Sequence, residues 1–101
     1  MSSAITKTQL GNGLTVLLKE MHHAPVATFM VWYRVGSRNE VPGRTGISHW
    51  VEHMMFKGTP TFPGAAMERM ISREGGFWNA FTWLDYTAYY ETMPSDRIDL
   101  A

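Results

Sequence analysis

The chain alternates between stretches that favour strands and stretches with helical spacing. Residues 6–20, TKTQLGNGLTVLLKE, carry β-forming residues on either side of "GNG" at 11–13, a turn signal, and predict two short strands. After the connection "HHAP" at 22–25, residues 26–35, VATFMVWYRV, are rich in β-branched and aromatic side chains and predict a long buried strand. "GSRNEVPGRTG" at 36–46 is a loop, broken by Pro42 and its glycines. Residues 46–57 predict a helix, with Thr45 as its N-cap and Gly58 as its stop. "TPTFPG" at 59–64 connects to a second helix over 65–74, AAMERMISRE, ended by Gly75-Gly76. Residues 77–83 and 86–93 predict a strand pair around Leu84-Asp85, and Ser95 begins a third helical pattern, SDRIDLA. No repeat or low-complexity tract interrupts this order.

Composition narrows the class. With 45% hydrophobic and 18% charged residues, a 101-residue chain is globular, with one modest core. Nine basic and nine acidic residues balance, so no charge excess points to nucleic acid or to an anionic membrane. There is no cysteine, so a metal would be held by nitrogen and oxygen. The opening MSSAITKTQL lacks the basic start and apolar core of a secretory signal, and no apolar run is long enough to span a bilayer. The default expectation is a cytoplasmic compartment.

One helix carries unusual chemistry. "SHWVEHMMF" at 48–56 places His49, Glu52 and His53 inside an otherwise apolar run. At about 100° per residue, and with His49 at zero, His53 falls near +40° and Glu52 near −60°. Ile47, Val51, Met54 and Met55 fall on the far side, where they can face a core. Two imidazoles four residues apart can bind one zinc ion from a single helical turn, with a position left for water. A carboxylate between them suits a general base that takes a proton from that water. The same three residues also suit a solvated polar face. Phe56, near −20° on the same scale, either walls the pocket or packs under a sheet. His22 and His23, adjacent in a loop, read as exposed residues.

The surroundings carry a resemblance. "GISHWVEHMMFKGT" at 46–59, with its His-x-x-Glu-His order, resembles the zinc-motif segment of the pitrilysin/insulinase metallopeptidase family. "GGFWNAFTWLDYTAYY" at 75–90, "VGSRNE" at 35–40 and "NGLTVLLKE" at 12–20 are similar to further family segments in the same order. The resemblance implies that His49 and His53 are Zn2+ ligands and Glu52 the catalytic base. It also implies that Asn79, Ala80, Phe81 and Thr82 lie on an edge strand that pairs with an extended peptide substrate by main-chain hydrogen bonds. For Phe77, Trp78 and Phe81 taken alone, ordinary strand packing is the simpler reading, and Asp85 with Thr87 reads as a turn. In the family the third zinc ligand is a glutamate on a later helix, farther from the motif than this chain extends. Glu68, Glu74 and Glu91 do not sit in its motif context. The active form of the family also uses a second homologous half or subunit.

The expected fold is therefore α+β, a mainly antiparallel sheet with helices packed on one face. The resemblance implies that residues 1–101 are the first part of a pitrilysin-like N-terminal domain. The expected function is that of a metalloendopeptidase module hydrolysing extended peptides through a metal-activated water, with no nucleic-acid or membrane partner. The alternative is a non-catalytic peptide-binding or scaffolding fragment that keeps the motif without the third ligand.

Overall fold

A computed structural model describes residues 4–101. The opening strands are β1 (Ile5–Gln9) and β2 (Thr15–Lys19), an antiparallel pair in which Ile5 faces Lys19 and Gln9 faces Thr15. Gly13 closes their turn in the left-handed region at φ 91°, where Leu14 N–H donates to Asn12 Oδ1 at 3.1 Å. The hairpin is a sheet of its own, and all ten strand residues are exposed. It lengthens the molecule to 48 × 32 × 26 Å. The radius of gyration is 15.9 Å, where a compact chain of this length has about 13 Å.

The second sheet has three antiparallel strands in the order β3–β5–β4, formed by β3 (Val26–Tyr33), β4 (Phe77–Thr82) and β5 (Thr87–Pro94). β5 is central and holds most of the buried side chains, with Ala88 and Met93 fully enclosed. Tyr33 faces Thr87 and Val26 faces Pro94 on one side, while Thr82 faces Thr87 and Phe77 faces Thr92 on the other. The expected buried strand over 26–35 is a strand, but it is not buried. Phe29 and Trp32 are about half exposed, because β3 is an edge strand and both helices pack against β4 instead.

The helices are α1 (Ile47–Met54) and α2 (Ala66–Arg73). α2 ends as its glycine pair predicts. Gly75 is left-handed at φ 82°, and Gly75 N–H and Gly76 N–H close back on Ser72 O and Ile71 O at 3.1 and 2.9 Å. Gly76 then lies flat on β5, where a Cβ would meet Met93 Sδ at 2.1 Å and Thr92 O at 2.8 Å. Gly58 is also left-handed, at φ 100°, and its bridge to Pro63 closes the connector between the helices. The third helical pattern is a 3₁₀ helix over Ser95–Leu100.

Two expectations about α1 are corrected. Thr45 is not its cap: the cap position is Gly46, left-handed at φ 89°, and no side chain there bonds to the helix. The apolar side of α1 does not face a core. Ile47, Val51, Met54 and Met55 are 45–52% exposed, and the buried residue of the helix is Glu52. The polar arc of the helix faces the sheet, because Glu52 finds a hydrogen-bond donor on β4 and Phe56 packs edge-on against Trp78 at 4.6 Å.

Glu91 on β5 lies between Phe29 and Trp78 in register, and among the described residues its buried Oε2 has no partner. Burial pushes its carboxyl above the ordinary value of 4.5. Ionisation is therefore harder in the folded state than in the unfolded one. Stability falls as pH rises from 4.5 through the raised folded value and then levels off. Glu91→Gln is expected to raise the unfolding midpoint at pH 7 and to match the wild type below the ordinary carboxylate range. Equal midpoints at pH 7 in urea titrations would refute this. The exposed apolar surface gives a second expectation: light scattering on the 11.5 kDa chain should report a mass that grows with concentration. A monomer mass independent of concentration would contradict it.

Candidate metal centre

The site begins with the loop before α1. Gly36 is buried against the turn that follows β4, where a Cβ would meet Trp83 O at 2.2 Å and Leu84 O at 2.6 Å, so no side chain fits. Ser37 N–H and Arg38 N–H donate to those two carbonyls at 3.0 and 2.9 Å, and Arg38 Nε donates to Asp85 Oδ1 at 2.6 Å. Thr87, almost fully buried, donates from Oγ1 to Val35 O at 2.8 Å. Asp85 and Thr87 therefore do more than form a turn. They fasten the loop over 35–40 to the β4–β5 hairpin.

α1 then brings the three predicted residues together. His49 Nε2 and His53 Nε2 lie 2.8 Å apart, and one ligand atom from each of His49, Glu52 and His53 falls within 4.8 Å of the others. The imidazoles are exposed and Glu52 is 7% exposed. Thr82 Oγ1 donates to Glu52 Oε2 at 2.9 Å, and among the described residues Glu52 Oε1 has no hydrogen-bond partner. The donor set suits a metal ion that takes nitrogen. Two imidazoles on a tetrahedral ion at the usual zinc–nitrogen distance stand about 3.4 Å apart, so small side-chain rotations would open the 2.8 Å pair to that spacing. Each ring can present a lone pair, and among the described residues no lysine or arginine lines the cleft to compete with the ion.

His49, Glu52 and His53 form one side of an open cleft of about 730 Å3, and Asn79–Leu84 with Ser37 line the rest. β4 is an edge strand. Trp83 N–H donates inward to Tyr86 O at 2.8 Å, so by alternation the main-chain groups of Trp78, Ala80 and Thr82 point to the unpaired side. One of them is already engaged, because Ala80 N–H donates to Asn79 Oδ1 at 2.8 Å. Ala80 and Thr82 are partly buried under the helices. Phe81 lies on the opposite face, 5.6 Å from the Trp32 ring and 5.9 Å from Tyr86. Phe56 packs on Trp78 and does not line the cleft. Tyr89, opposite Ala80, has its phenol pushed up by burial and then by the charge of Glu52. His22 is exposed and sits 3.3 Å from Glu20, away from the cleft.

Sequence reasoning missed Thr82 as a partner of Glu52, and Glu40, which accepts from Gly46 N–H at 2.9 Å and Ser48 N–H at 2.8 Å. The first contact spans thirty residues, and only the fold brings the two together.

Comparison with known proteins adds four findings. The model of the family Insulinase (Peptidase family M16) matches residues 15–101. An uncharacterized zinc protease of Streptomyces coelicolor is 36% identical over 97 residues, which is 96% of this chain and 21% of the relative. The mitochondrial-processing peptidase subunit beta of Lentinula edodes is 39% identical over 92 residues, 91% of this chain and 20% of the relative. The crystal structure of a protease from Helicobacter pylori superposes with a TM-score of 0.89 at 35% identity, over 96% of this chain and 23% of that one. The chain thus spans about a fifth of the length of the curated relatives it matches.

The Thr82 contact is testable. Removing the donor leaves a buried carboxylate oxygen unsatisfied, at a cost of about 1–3 kcal/mol. Thr82→Val should lower the unfolding free energy from urea titration by that much and shift the midpoint down accordingly, and Thr82→Ser should restore most of it. Equal midpoints for wild type and Thr82→Val would show that the bond carries no stability.

Proposed function

The chain belongs to the insulinase family of peptidases, Peptidase family M16, and from that premise we propose that it is the metal-binding part of a zinc-dependent endopeptidase acting on extended peptides. One observation carries the reading. Two imidazole nitrogens 2.8 Å apart and a buried carboxylate share a cleft with the unpaired edge of β4. The names of the relatives as zinc proteases support the choice of ion.

His49 and His53 would hold the zinc through their Nε2 atoms. Bound zinc supplies Lewis-acid polarisation of the scissile carbonyl and lowers the pKa of water. Glu52 is the base: it accepts a proton from the attacking water and delivers it to the leaving amine. Thr82 holds Oε2, which fixes the carboxylate plane and leaves Oε1 to receive that proton. An extended peptide pairs with the outward main-chain groups of Trp78, Ala80 and Thr82, and Asn79 swings aside to free the Ala80 N–H. Asn79, Ala80, Phe81 and Thr82 thus act through backbone and position. The ring of Phe81 serves the opposite face of the sheet.

Catalytic zinc sites hold the ion with three protein ligands and keep a place for water. Among the described residues the cluster offers two imidazoles and the base. The third ligand is proposed to come from a later helix outside residues 1–101, and groups that stabilise the developing oxyanion from a second homologous half or subunit. The chain alone is then expected to bind zinc loosely and to show little or no turnover of a quenched fluorescent peptide. In a version extended to the length of the relatives, Glu52→Gln should lower turnover by about 10²–10⁴-fold while zinc stays bound. Full activity of that variant would remove Glu52 as the base. If the extended wild type bound peptide but never cleaved it, the non-catalytic reading would replace this one.

A further inference from the structure

α1 carries the two imidazoles, and beyond the Glu52–Thr82 bond to β4 little fixes its start. Its apolar side faces solvent, with Ile47 and Val51 each 49% exposed, so core burial does not fix its position. Its first turn has no acidic residue and its cap position offers no side chain. The four orphan N–H groups of a helix start need acceptors, and an anion there also interacts favourably with the helix dipole.

Two of those acceptors come from outside the helix. Glu40 Oε1 accepts from Gly46 N–H at 2.9 Å, and Glu40 Oε2 accepts from Ser48 N–H at 2.8 Å. Ser48 immediately precedes His49. The two backbone bonds hold the Glu40 carboxyl below its ordinary value, as expected for an ionised acceptor. Glu40 is fixed in turn. Its N–H donates to Ser37 O at 3.2 Å, and residues 37 and 38 are bonded to the carbonyls of Trp83 and Leu84. The carboxylate therefore ties the first turn of the His-bearing helix to the turn that ends β4.

We propose that Glu40 is a positioning residue for the metal pair, setting the register of His49 and His53 over the β4 edge by gripping the start of α1 with both carboxylate oxygens. The inference rests on the zinc reading above. It differs from a general stabilising role because the grip is local. Losing it should loosen the helix start and the metal geometry while the β3–β5–β4 sheet persists.

The test is metal binding by the 101-residue chain. Zn2+ affinity is measured by competition with a chromophoric chelator, and ligand geometry by the visible spectrum of bound Co2+. Glu40→Ala is expected to weaken Zn2+ binding about tenfold and to alter the cobalt bands, as loss of a group that orients metal ligands does. Glu40→Gln, which can still accept one of the two bonds, should fall between Glu40→Ala and wild type. Hydrogen exchange should quicken at Gly46 and Ser48 in Glu40→Ala, with β4–β5 amides still protected. Unchanged affinity and cobalt bands in Glu40→Ala would overturn the proposal. So would loss of β4–β5 protection together with wild-type binding by Glu40→Gln. His53→Ala separates this failure from failure of the zinc reading. If wild type and His53→Ala bind both ions equally, the histidine site itself is wrong.

Discussion

A carboxylate removed from water is costly unless it finds a hydrogen-bond donor, and the short helix is arranged around that cost. Glu52 meets Thr82 across thirty residues of chain. That contact turns the polar arc of α1 toward β4, against the ordinary tendency of an amphipathic helix to bury its apolar stripe. The reversal places two imidazoles at the mouth of a cleft instead of on a solvated face. It also leaves Ile47, Val51, Met54 and Met55 in solvent. Local energetics are given up so that three chemical groups can stand over one sheet edge.

The supporting loop works at the level of backbone geometry. Gly36 admits the hairpin carbonyls to a distance no Cβ would allow, and Arg38 with Asp85 closes the contact from the side. That ion pair is exposed at both ends, so it contributes direction more than energy. The main-chain bonds from Ser37 and Arg38 set the approach. Strand turn, loop and helix start form one connected unit, and the metal-ligand candidates lie at its end.

Much of this was legible in the sequence. Strand and helix identities followed from β-branched and aromatic runs and from glycine stops. The helix angles put His49, Glu52 and His53 on one arc, and "GG" at 75–76 marked the end of α2. What failed was burial. The run VATFMVWY carries the composition of a core strand, but composition cannot say whether a strand lies at the centre or the edge of a sheet. The cap of α1 failed for a related reason. A search for Ser, Thr, Asp or Asn beside the helix finds Thr45, whereas the acceptor is a glutamate six residues before Gly46 that only the loop's fold brings near. That β1–β2 is a sheet of its own was likewise invisible, since the GNG turn marks two strands that meet but not which sheet they join.

The bond from Ala80 N–H to Asn79 Oδ1 has a further consequence. An exposed strand edge is sticky toward any other strand, including one from another copy of the same protein. Here the chain masks one of its own edge donors with the neighbouring side chain. A visiting strand gains nothing at Ala80 by merely arriving, because it exchanges one hydrogen bond for another of similar strength. Affinity at this edge must be gathered from several positions at once. Short or misregistered segments leave readily, and retention falls to segments long enough to engage the whole strand.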